Sequence, residues 1–102
     1  MTSTADPLQF LIAWYRANCD GDWEHQYGIR IDTLDNPGWS LDVDLFNTRY
    51  ESAVMAMRKI ERTDTDWLFV EVKDATFKAR GGAVNLIEMM DEFRRFVERC
   101  AA

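Results

Sequence analysis

The stretch YGIRIDTLDNPGWSLDVDL, residues 27–45, decides the fold. Tyr27, Ile29, Ile31 and Thr33 alternate with Gly28, Arg30 and Asp32, the period of a half-buried strand. Asp35-Asn36-Pro37-Gly38 then sets four turn-forming residues in a row. Beyond it Trp39, Leu41, Val43 and Leu45 alternate with Ser40, Asp42 and Asp44. Two such runs about a turn make a β-hairpin, and its register can be argued. Opposing Thr33 to Trp39 puts both apolar sets on one face and sets Arg30 against Asp42 and Asp32 against Ser40. A slip by one residue would carry Asp42 into the core. A slip by two would set Asp32 against Asp42. The expected loop is therefore about five residues, Leu34 to Gly38.

Outward from the hairpin, the chain begins with a helix. Asp6 suits the N-cap, Pro7 the first helical position, and Gln9 has capping-box spacing. Leu8, Leu11, Ile12 and Tyr15 form its expected inner stripe with Trp14 beside it, Phe10 lies off the stripe, and the helix should stop near Asn18. After the hairpin, residues 52–62 are rich in helix formers, yet the turn Thr63-Asp64-Thr65-Asp66 and the strand at residues 67–72 follow at once. A strand after a tight turn pairs with what precedes it, so 53–62 is read as strand against propensity. A short extended piece is expected at 76–79, and Gly81-Gly82 separates it from the last helix. Asn85 and Glu88 give that helix a second capping box, and Leu86, Met90, Phe93, Val97 and Cys100 its stripe, widened by Ile87, Met89 and Phe96. Asp91 and Arg95 are an i,i+4 pair on its outer face. The fold expected is α+β: an N-terminal helix, an antiparallel sheet of about four strands in two hairpins, and a C-terminal helix, both helices on the apolar face.

The chain's 102 residues, 47% hydrophobic and 29% charged, suit a single domain over 1–102 with one real core. No apolar run reaches the roughly 18 residues of a membrane span. Met1-Thr2-Ser3-Thr4-Ala5-Asp6 lacks the basic and apolar regions of a signal peptide. Two cysteines, Cys19 and Cys100, are too few for a disulfide scaffold, so a cytoplasmic protein with free thiols is expected. The net charge of −6 argues against nucleic acid as a direct partner. All of it sits in residues 19–45, where seven acids face Arg30 alone, while the remaining eleven acids and eleven bases cancel. A concentrated acidic surface attracts a basic partner.

Catalytic and cofactor motifs are sparse. The one histidine is His25, and the sequence has no nucleophile elbow, phosphate-binding glycine loop or dinucleotide fingerprint, so no cofactor is expected. A Cys19–His25 thiol–imidazole pair would define a small enzyme, though no oxyanion donor accompanies it. Asp20, Asp22 and Glu24 about Gly21 resemble a metal loop but lack the twelve-residue calcium pattern; otherwise these carboxylates cap nearby backbone amides. Of the four tryptophans, Trp14, Trp39 and Trp67 are expected to face inward. Trp23, in the acidic loop, is the candidate exposed aromatic.

Two long motifs point further. Cys19-Asp20-Gly21-Asp22-Trp23-Glu24-His25 with Tyr27-Gly28, and Thr33-Leu34-Asp35-Asn36-Pro37-Gly38-Trp39, resemble the signature of immunity protein family 53 of bacterial polymorphic toxin systems. Asp66-Trp67, Phe77, Gly81-Gly82, Asn85-Leu86 and Phe93 fit as well, so the resemblance runs from about residue 8 to 97. Phe96 stands where the family would carry a tryptophan. The resemblance implies a non-enzymatic protein that binds and neutralises a cognate toxin domain. Joined to the charge pattern, it gives Asp22, Trp23, Glu24, Asp32, Asp35, Asp42 and Asp44 as the expected partner-binding residues, facing a basic site such as that of a nuclease.

Overall fold

The computed structural model describes residues 6–101; Met1–Ala5, most of the stretch expected not to be a signal peptide, lie outside the described residues. The elements are α1 (Pro7–Asn18), α2 (Trp23–Gln26), β1 (Ile29–Leu34), β2 (Gly38–Asp44), β3 (Met55–Glu61), β4 (Trp67–Lys73), β5 (Thr76–Gly82) and α3 (Leu86–Ala101). The strands form one antiparallel sheet in the order β1-β2-β5-β4-β3, so the hairpin β1-β2 is joined to the meander β3-β4-β5 through β2 and β5. Five strands replace the four expected. The addition is β5, expected from sequence only as a short extended piece at 76–79. It grows from a two-residue turn with Asp74 at φ 54° and Ala75 at φ 56°, the left-handed pair whose twist closes a tight hairpin.

The hairpin register is the one derived above: Ile29 opposes Val43, Arg30 Asp42, Ile31 Leu41, Asp32 Ser40 and Thr33 Trp39. Leu34 and Gly38 pair as well, which shortens the loop to residues 35–37. Gly38 is required there, because a Cβ would run into the Gly81 carbonyl oxygen on β5. Residues 55–61 are strand, not helix. Their pairing with β4 decides it over local propensity.

One face of the sheet is apolar. Leu41, Val43, Phe77, Ala79, Leu68, Val70 and Val72 are buried there beneath Met89, Met90, Phe93, Phe96 and Val97 of α3. α1 packs beside α3. Trp14 meets Phe93 edge to face at 5.1 Å, and Phe77 meets Phe93 at 5.2 Å. The α1 stripe is rotated from expectation: Leu11 and Trp14 are buried and Phe10 packs on the core, while Leu8, Ile12 and Tyr15 stay exposed. Both stripes are apolar, and the contact with α3 selects between them. Cys100, expected on the α3 stripe, is exposed. Glu92 is buried instead and accepts a hydrogen bond from Arg58 of β3 at 2.8 Å. Asp91 and Arg95 pair as expected, at 2.9 Å.

Trp39 does pack against the core and donates its indole N–H to the Ala83 carbonyl at 3.0 Å. Trp67 does not face inward. Leu68 takes the inner position, so alternation sends Trp67 and Phe69 to the opposite face, where they stack at 5.7 Å. Asn85 was expected to cap α3 with its side chain. Its oxygen instead accepts the Trp67 backbone N–H at 3.2 Å, and its amide donates to Asp66 and Glu88. This ties the start of α3 to the start of β4.

Candidate functional site

The sheet face opposite α3 is covered by no helix among the described residues. Cross-strand registers place Arg30 and Asp32 of β1, Ser40, Asp42 and Asp44 of β2, Lys78 and Arg80 of β5, Phe69 and Glu71 of β4, and Lys59 of β3 on it. Two of the predicted carboxylates here are already paired. Arg80 donates to Asp42 at 2.9 Å. Asp44 is buried, its carboxylate accepting the Gly28 backbone N–H at 3.0 Å and two guanidinium N–H groups of Arg30 at 3.0 and 3.1 Å. Those hydrogen bonds hold the Arg30 guanidinium above its ordinary pKa. Asp44 therefore joins the ends of β1 and β2 and does not stand on an open acidic surface. Hairpin acids facing β5 bases make this sheet face mixed in sign, whereas the sequence alone gave an acidic run.

The acidic loop between α1 and β1 is a lattice of carboxylate-to-amide hydrogen bonds. Asp20 accepts the N–H groups of Asp22 and Trp23, each at 3.0 Å. Glu24 reaches back to the N–H groups of Asp20 and Gly21, each at 2.9 Å. Both pKa values fall below the usual carboxylate range. For Asp20 the foremost cause is the Trp23 amide, then that of Asp22. For Glu24 it is its own amide, followed by those of Asp20 and Gly21. Gly21, at φ 94°, gives the loop its turn. The amide-capping reading is the one observed, and among the described residues no group of three or more His, Cys, Asp or Glu side chains could hold a metal ion. The Cys19 thiol donates to the Tyr15 carbonyl at 3.2 Å. Both cysteines are free.

Trp23, expected to be exposed in the acidic loop, is buried. It is 4% exposed, its indole N–H donates to the Phe46 carbonyl at 2.8 Å, and its ring meets Trp14 edge to face at 5.9 Å. It anchors the acidic loop to the core and is not an exposed contact aromatic. Asp22, Asp32 and Asp35 are the exposed members of the predicted set, and Glu24 is half-buried. Asp22 lies before β1 and Asp35 after it, so roughly 20 Å of strand separates them, with Asp32 between on the helix-free face. Sequence reasoning missed Arg80 and Lys78, the bases that answer the hairpin acids. Their alternation with Phe77 and Ala79 was the available signal.

Fold and surface together define a class: a small two-layer α+β protein whose polar sheet face and acidic loop are exposed beside an intact helix-covered core. The family model described as Immunity protein 53 matches residues 8–98, and the chain belongs to that family. Comparison with curated proteins and with solved structures gives no match for this chain. Membership gives the protein an immunity role. No helix among the described residues is long and apolar enough to cross a membrane.

Proposed function

We propose that the protein binds a cognate toxin domain in the cytoplasm and neutralises it stoichiometrically, by covering the toxin's active site with its helix-free sheet face and the acidic loop beside it. Membership in an immunity family carries this reading. The exposed carboxylates Asp22, Asp32 and Asp35 meet basic groups of the toxin, and Asp42 exchanges part of its contact with Arg80 for them. Trp23 and Glu24 hold the acidic loop in place, and Asp44 holds Arg30 and the end of the hairpin on this face. A basic cleft of the kind that holds phosphates in a nuclease is its complement. The stacked Trp67 and Phe69 supply apolar area on the same face.

The test is titration of the protein against the toxin domain encoded beside its gene. Protection complete at one equivalent, with a complex that co-migrates on gel filtration, is the expected outcome. Full protection far below one equivalent would mean an enzyme and would end the occlusion mechanism.

A further inference from the structure

We propose that the outer edge of β1 pairs with β1 of a second copy, antiparallel about Ile31, so that two five-stranded sheets become one. The sheet has two edges, β1 and β3. β3 is guarded by a register shift between Met55 and Arg58 and by Arg58 itself. That residue opposes the buried Val70 and reaches Glu92 of α3, and inward charges of this kind block strand addition. β1 pairs with β2 in unbroken register and carries no such device. The Asp44 backbone N–H donates to the Gly28 carbonyl at 3.0 Å, which makes Gly28 and Asp44 a hydrogen-bonded pair. Alternation then turns the N–H and C=O groups of Ile29, Ile31 and Thr33 away from β2, to the open edge.

The strand's sequence is self-complementary about its centre. With Ile31 opposite Ile31, Ile29 meets Thr33, and all three pairs are of the hydrogen-bonded kind. On the helix-free face Arg30 opposes Asp32 of the other copy, and Asp32 opposes Arg30, two opposite-charge pairs across the new seam. On the helix face the same edge continues into an apolar groove lined by Leu8, Leu11, Ile12, Tyr15, Ile29 and Ile31. Leu8, Ile12, Tyr15 and Ile31 are 40%, 43%, 38% and 40% exposed, large apolar side chains gathered along one edge. A twofold axis midway between the two Ile31 residues, normal to the sheet, puts both helix layers on one side. The two grooves then meet, and the polar sheet face of both copies stays free for another partner.

Sedimentation equilibrium of the full chain from about 1 μM to about 1 mM is the primary test. The expected result is a concentration-dependent doubling of mass, with amide exchange at Ile29, Ile31 and Thr33 slowing in parallel. Ile31→Lys sets two ammonium groups across the axis, and Asp32→Arg sets arginine against Arg30. Each should raise the dimer dissociation constant at least ten-fold, and both sites are exposed in the monomer. A mass that stays monomeric across the range, or exchange at those three amides that ignores concentration, overturns the proposal. So does a dimer that survives Ile31→Lys. If the chain is monomeric and Ile31→Lys abolishes toxin protection, the edge belongs to a strand of the toxin, and the occlusion reading survives while the dimer does not.

Discussion

Asp44 grips the guanidinium of Arg30 through both carboxylate oxygens, at 3.0 and 3.1 Å, on the sheet face that no described helix covers. With Gly28 bound to the same carboxylate, Asp44 closes the open end of the β1-β2 hairpin. Asp44→Ala would strand the Gly28 N–H at a half-buried site, while Arg30, with half its side chain exposed, would rehydrate. The expected loss is about 2 kcal/mol, read from urea denaturation. Asp42→Ala, whose partner Arg80 also donates to the Ala79 carbonyl, should cost less than half of that.

Trp23 joins the acidic loop to the core, so its size and its N–H can be separated. Trp23→Ala removes a ring packed against Trp14 and Tyr15 and should cost about 3–5 kcal/mol. Trp23→Phe keeps most of the packing and orphans the Phe46 carbonyl, for about 1 kcal/mol beyond the lost volume. Equal losses in the two variants, measured by thermal unfolding, would mean that the hydrogen bond rather than the ring holds the loop.

These two residues show where the sequence was legible and where it was not. The hairpin register followed from alternation alone, because one face is apolar and a slip by one residue would bury Asp42. The burial of Trp23 and of Asp44 was not legible because the groups that hold them are distant in sequence: the Phe46 carbonyl, and the Gly28 amide with Arg30. The charge of the sheet face was misjudged for a related reason. Lys78 and Arg80 reach the hairpin acids only if β5 is central, and β5 follows a turn with alanine at a left-handed position where glycine or asparagine is usual. On α1 both stripes were apolar, so periodicity could not decide between them.

Ala75 bears the cost of that turn. Its φ of 56° brings its Cβ against the following carbonyl, a penalty that glycine avoids. Its carbonyl accepts the Leu45 N–H at 2.7 Å, so the conformation is held from outside as well. Ala75→Gly should raise stability by about 0.5–1 kcal/mol, less the entropy glycine adds to the unfolded chain. A lower denaturation midpoint in the glycine variant would count against the left-handed turn.

Three carboxylates tie stability to acid. Asp20 and Glu24 are lowered by backbone amides, and Asp66 is lowered first by Arg62 and then by Asn85. A folded-state pKa below the unfolded value contributes stability that is present above about pH 4 and lost as pH falls through the folded value. The melting temperature should therefore hold level above about pH 5 and fall steadily below about pH 4. Glu24→Gln should flatten part of that decline and lower the plateau at neutral pH. An unchanged acid limb would place the linkage elsewhere.

Asp22 and Asp35 offer the cleanest test of the proposed toxin contact, because both are exposed and neither appears in an ion pair among the described residues. Asp42 and Asp44 do not serve, since reversing them would break contacts to Arg80 and Arg30 that hold the sheet. Asp32 is left unchanged because it also borders the β1 edge. Asp22→Lys combined with Asp35→Lys shifts the net charge from −6 by four units while touching no core residue. The double variant should melt within about 4 °C of the parent, as surface changes stay within about 0.5 kcal/mol. If the acids steer a basic toxin, its association rate should fall at least about ten-fold at low salt, and the difference from the parent should shrink at about 0.5 M salt. Stopped-flow association with the toxin domain at two ionic strengths measures both. An unaltered rate in a folded double variant would remove electrostatic steering through these two residues. The immunity role would stand, and the contact would then rest on the apolar part of the sheet face, where Trp67→Ala with Phe69→Ala becomes the informative variant.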